Sequence, residues 1–204
     1  MTVGCASTNQ GEYQRASAAA VPTPAVSDTS QPTYTAADIE FMDGMIAHHA
    51  QALLMAGWAD SHGASPAVHT LTQRIINAQK DEIVAMQKWL RDRHQPVPEP
   101  NPHGMTMNMG GMQHEMLMPG MLTEEQLKQL DAARSKEFDR LFLIFMIQHH
   151  KGAVTMVNNL FATNGAAQDI TVYKMASDIS ADQTTEIERM QKMLAAMAFE
   201  FPTS

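Results

Sequence analysis

One cysteine, Cys5, is the whole thiol complement of this 204-residue chain. An internal disulfide needs two, so none forms, and zinc sites built on cysteine are excluded as well. Clusters of Lys or Arg are also missing: 14 basic residues face 22 acidic ones, for a net charge of −8. Nucleic-acid binders carry a basic stripe, so that class of partner is excluded. Aromatics are scarce, at 6%. No apolar run nears the ~18 residues of a membrane-spanning helix; the longest is Leu141 to Ile147. The chain has no G-x-S-x-G, no P-loop and no G-x-G-x-x-G, and it is not expected to be an enzyme. What abounds is methionine, with 18 residues, and histidine, with nine. The hydrophobic share of 44% is that of an ordinary globular protein. Such a chain can hold a core without metals or disulfides.

Residues 1–34 are rich in Ala, Ser, Thr and Pro and poor in large apolar side chains. They bury too little surface to offset their ordering entropy and read as a flexible tether. Gly4-Cys5 ahead of that tether resembles the end of a bacterial lipoprotein signal, with Cys5 as lipid acceptor and only membrane anchor; the bland alternative is an incidental tail cysteine. A lipidated tether would place the folded part outside the cytoplasm, in the periplasm or cell exterior. That compartment oxidises thiols, which fits the lack of cysteine beyond position 5.

The rest reads as helices. Thr35 with Asp38 forms a capping-box start, and an apolar-periodic run follows to about Asp60. Ser65-Pro66 opens a second helix that runs to about Arg93. Pro96, Pro98, Pro100 and Pro102 bar any continuation. Thr123 with Gln126 opens a short helix. Ser135 is expected to cap a long one to about Ala162, and a last helix covers about Asp169 to Ala198. β-branched alternation is absent, so no sheet is expected. The organisation is thus a tether over 1–34, a helical hairpin over 35–94, a Pro/Met-rich linker loop over 95–122 and a second hairpin over 123–198.

The two hairpins repeat one another. Phe41, Met42, Met45, Ile46, His48, His49, Ala52 and Met55 stand 101 residues before Phe142, Leu143, Met146, Ile147, His149, His150, Ala153 and Met156. Gln79, Glu82, Ile83 and Met86 stand 104 residues before Gln183, Glu186, Ile187 and Met190. Duplicated hairpins of this kind pack as an all-α four-helix bundle. On a helical wheel Met42, Met45, His48, His49, Ala52 and Met55 share one face, and Met146, His149, His150, Ala153 and Met156 repeat it. Methionine at helical spacing is ordinarily core filling, the reading kept for Met190, Met193 and Met197. Four imidazoles in a core need partners. Those are either Glu82 and Glu186, fixing the tautomers, or metal ions.

From His103 to Met121 the chain reads HGMTMNMGGMQHEMLMPGM. This segment is expected to follow neither helical nor strand periodicity, and so to be no core stripe. It reads either as a promiscuous methionine surface or as a soft-metal trap. Thioethers are neutral and polarizable and select Cu(I), and Ag(I) by the same softness. Met105, Met107, Met109, Met112, Met116, Met118 and Met121 are the candidate ligands, with His103 and His114 completing mixed sites or taking Cu(II).

The doubled F-x-x-x-M-I-x-H-H-x-x-A-x-x-M pattern, each copy followed by Q-x-x-E-I-x-x-M, resembles domain-of-unknown-function family 305 (DUF305), over about Ala36 to Leu194. That family includes CopM-like bacterial copper-binding proteins of the periplasm or cell exterior. The resemblance implies a ferritin-like four-helix bundle. It also implies ligation through Met45, His48, His49 and Met55, and through Met146, His149, His150 and Met156. The second copy departs from the first where Ile144 and Phe145 replace Asp43 and Gly44, so the halves need not bind equally. The function implied is an extracytoplasmic protein that sequesters or transfers copper, with metal ions, a copper exporter or another periplasmic copper protein as partners. The alternative is a metal-free helical interaction module with a Met-rich surface. A di-iron enzyme on this architecture would need Glu-x-x-His, and the sequence contains none.

Overall fold

The computed structural model describes residues 1, 2, 4, 33–109 and 112–200, with side chains there except at 106–115 and 199–200. Contacts divide the chain after Gln31, and the unit that follows is the one described below. Cys5 lies outside the described residues, as do the side chains of Met107, Met109, Met112 and His114.

Among the described residues five helices make the body: α1 (Ala36–Gly57), α2 (Pro66–Asp92), the short α3 (Glu124–Ala132), α4 (Ser135–Ala162) and α5 (Ile170–Glu200). Their starts follow local chemistry. Thr35 and Asp38 close a full capping box on α1, Thr123 and Gln126 do so on α3, and Ser65 with Pro66 opens α2. Each device satisfies backbone N–H groups that a helix start leaves bare. The expected cap at Ser135 is corrected. Arg134 is the N-cap without a side-chain bond, and Ser135 adopts a positive φ of 53°, its N–H donating to the His62 carbonyl at 2.7 Å.

α1 packs along α2 and α4 along α5, and the two hairpins meet through α1 and α4. A pair of apolar clusters fills the interior. One holds Met42, Met45, Ile83, Met86, Ala153 and Met156. The other holds Ala52, Met55, Phe142, Met146 and Met190. Residues that correspond in the repeat fall into opposite clusters: Met45 against Met146, Met156 against Met55, Met86 against Met190. The duplication therefore reads as an approximate two-fold relation between the hairpins.

The expectation of no sheet is overturned in the linker. β1 (Met105–Met109) and β2 (Met112–Met116) pair as an antiparallel ribbon, with Met105 opposite Met116, Met107 opposite His114 and Met109 opposite Met112. Side-chain alternation in M-x-M-x-M is a period of two, and Gly110-Gly111 between the two runs is a two-residue hairpin signal. No β-branched residue is needed for either.

After the ribbon, residues 118–122 cross the seam between α1 and α4. The Gln51 amide donates to the carbonyls of Pro102 and Leu122, at 2.9 and 3.1 Å, while its oxygen accepts the Leu122 N–H at 2.6 Å. From α4 the Gln148 amide donates to the Gly120 carbonyl. The crossing is close because both sides are glycine: a Cβ on Gly152 would stand 1.8 Å from the Pro119 carbonyl oxygen, and one on Gly120 2.6 Å from that of Gln148.

Candidate metal centre

His48, His49, His149 and His150 all lie fully buried between the two apolar clusters. The α1 and α4 copies meet face to face: the His48 and His149 rings are 3.8 Å apart between centroids, tilted by 36°. His49 and His150 turn outward to the partner helix of their own hairpin. His49 Nε2 donates to Glu82 of α2 at 2.7 Å, and His150 Nε2 to Glu186 of α5 at 2.8 Å. In the neutral ring the proton thereby sits on Nε2, and Nδ1 keeps its lone pair. His48 Nε2 stands 3.1 Å from the Pro119 carbonyl, an acceptor only, so the same tautomer is fixed there.

The remaining ring nitrogens are bare. Nδ1 of all four histidines and Nε2 of His149 are buried without a hydrogen-bond partner. Burial, with His49 alongside, lowers the His48 pKa to about 3. Burial and His48 push His149 well below the ordinary imidazole value, and burial lowers His150 against the pull of Glu186. These three rings are therefore neutral at physiological pH, which is the form that ligates metals. Outside them, burial raises the Asp182 carboxyl, and the charges of Glu82 and Glu186 add to the effect.

The methionines expected on the same faces are buried with the rings but divide between the clusters. Met42, Met45 and Met156 lie on one side and Met55 and Met146 on the other. Other predicted ligands stand apart from the centre. Met121 is buried and its sulfur accepts the Met118 N–H. Met116 is exposed. His103 pairs with Glu124 on the surface through Nδ1 at 2.7 Å. Sequence reasoning missed Gln79 and Gln183, which are buried at corresponding positions with amide atoms lacking partners. Their signal was the repeated Q-x-x-E. Among the described residues no three His, Cys, Asp or Glu side chains gather as a metal-ligand group.

Residues 38–194 match the family model "Domain of unknown function (DUF305)". The chain belongs to the DUF305 family. No curated protein matches it. Among solved structures, a DUF305 fragment from Deinococcus radiodurans is 27% identical, with a TM-score of 0.66 over 81% of this chain and 99% of that one. A DUF305 protein from Streptomyces coelicolor, inferred to be secreted, is 27% identical, with a TM-score of 0.64 over 78% and 93%. CopM in its Cu(I)-bound form is 28% identical, with a TM-score of 0.59 over 78% and 96%. CopM has also been solved with Cu(II) and with silver.

Proposed function

We propose that this DUF305 protein binds monovalent soft metal ions, Cu(I) first and Ag(I) by the same chemistry, at the buried histidine centre. It would sequester or hand on those ions outside the cytoplasm, as cargo rather than for catalysis. The observation that carries this reading is the set of bare Nδ1 atoms in an apolar interior. Burying an unpaired polar group costs roughly 1–3 kcal/mol, and here the arrangement occurs on every ring of a duplicated motif. Glu82 and Glu186 act as the carboxylates that commonly orient a ligating histidine. Thioethers of the flanking clusters supply soft donors beside the imidazoles. The likeness to CopM in Cu(I), Cu(II) and silver forms supports the same reading. We read the four long helices as the ferritin-like bundle implied by the family resemblance. The inferred secretion of the Streptomyces relative supports a periplasmic or extracellular site of action. Transfer to an exporter or another copper protein, and lipid attachment at Cys5, belong to the same proposal. The metal-free interaction module keeps one observation in its favour: among the described residues no three His, Cys, Asp or Glu side chains converge.

The test is an anaerobic Cu(I) titration of the full chain against a chromophoric chelator. Tight competition is expected from the native protein. A Glu82→Leu/Glu186→Leu variant should bind about 10–100-fold more weakly, the usual cost of losing such orienting partners. A native protein that takes no Cu(I) from the chelator sinks the proposal and leaves the interaction module.

A further inference from the structure

The linker brings methionine to a second place. Gly44 lies on α1 one turn before His48, and the point where its missing Cβ would stand is a meeting point for sulfur. Met118 Sδ is 3.0 Å from that point, Met105 Sδ 3.4 Å and the Met156 methyl Cε 3.4 Å. The three side chains come from the end of the linker, the first residue of β1 and α4. Met156 is buried, while Met105 and Met118 are half-buried. A cleft of about 300 Å³ lined by Glu40, Phe41, Met118, Pro119 and Met156 opens beside them. The next residue after Met118 supplies the carbonyl that meets His48 Nε2.

The repeat provides an internal control. The residue that corresponds to Gly44 in the second hairpin is Phe145, a buried ring in its own apolar cluster. That half fills the position with a ring, and the first half empties it and fills it with methionine. Packing alone would be better specified by Leu or Phe, since methionine is flexible and specifies a core poorly. What methionine adds is a soft donor that needs no deprotonation.

We infer that Met105, Met118 and Met156 form a separate soft-metal site over Gly44, an outer thioether cradle that takes a monovalent cation before it reaches the histidine centre. The inference rests on the Cu(I) reading above. The cradle joins the Met-rich ribbon, through Met105, to the His48 ring, through Met118 and Pro119. Among the described residues only the first hairpin has one, so ions enter from one side of the approximate two-fold.

The experiment is a titration of the full chain with Ag(I), and anaerobically with Cu(I), following methyl-¹³C methionine resonances alongside stoichiometry. In the native protein the Met105, Met118 and Met156 methyls should shift together at the same metal equivalent. Met105→Leu/Met118→Leu, close in volume but without the sulfurs, should bind one fewer ion per chain and leave the Met156 methyl unmoved at that step. Gly44→Phe, which copies the second hairpin, should do the same. The double-leucine variant decides the matter if the phenylalanine variant does not fold. Unchanged stoichiometry, with the three methyls shifting at different equivalents or not at all, overturns the cradle while leaving the histidine centre standing. No binding by the native chain would instead point to failure of the copper reading itself.

Discussion

Each of His49 and His150 gives one ring nitrogen to a glutamate and keeps the other bare. His48 does the same with a backbone carbonyl. Neutrality of His48, His149 and His150 has a consequence for stability. The folded pKa values of His48, His149 and His150 lie below the ordinary 6.5, with His48 near 3. Between those values the unfolded chain binds more protons than the folded one, so folding weakens as pH falls through 6.5 toward 3 and is unaffected above it. The slope is about 1.4 kcal/mol per pH unit for each ring that stays neutral in the fold. Urea midpoints of the metal-free protein should therefore fall steadily from about pH 7 to about pH 5, and a flat profile would show that the rings protonate in place. The histidines and the two glutamates were legible because the same spacing occurs twice. Gln79 and Gln183 repeat as faithfully, but an amide sits equally well on a surface, so its type carried no message. The Pro119 carbonyl has no side-chain signature at all.

Elements were legible where one residue decides a boundary, as at Thr35, Ser65 and Thr123. They were illegible where pairing across the chain decides. The ribbon was missed because strand propensity was sought in β-branched residues, although alternation alone sets which face a strand residue takes. The crossing of 118–122 depends on Gly152, which shows nothing in sequence beyond a small residue on a helix. A methyl there would occupy the place of the Pro119 carbonyl, and backbone cannot yield as a side-chain end does. Gly152→Ala should cost about 1–3 kcal/mol, the range for forcing atoms into a packed site. It should also speed hydrogen exchange at the Leu122 amide, which Gln51 holds. Gly57, near the end of α1, has open space at its Cβ position, so Gly57→Ala should be neutral or mildly stabilising. Equal stability of the two variants would mean that residues 118–122 do not press on α4.

At the scale of the molecule, a layer of four imidazoles separates two apolar clusters that exchange under the approximate two-fold. A continuous apolar core would be more stable, because unpaired polar groups in such a place cost free energy on each ring. The linker breaks the symmetry of that cost. It crosses the seam once and supplies Pro119 to His48, while His149, the corresponding residue on α4, makes no hydrogen bond of good geometry and has only a weak contact with the His48 backbone. Substituting the two should therefore have different effects. His149→Leu removes two bare nitrogens and should stabilise the metal-free protein by about 1–3 kcal/mol, while weakening its hold on Cu(I). His48→Leu removes one bare nitrogen but strips Pro119 of its donor, so it should gain less or lose stability, again with weaker Cu(I) binding. Denaturation midpoints of the three metal-free proteins, set beside their Cu(I) affinities, test this. If His149→Leu lost stability and kept its copper, the imidazole layer would be a structural feature of the core and not a centre kept for its chemistry.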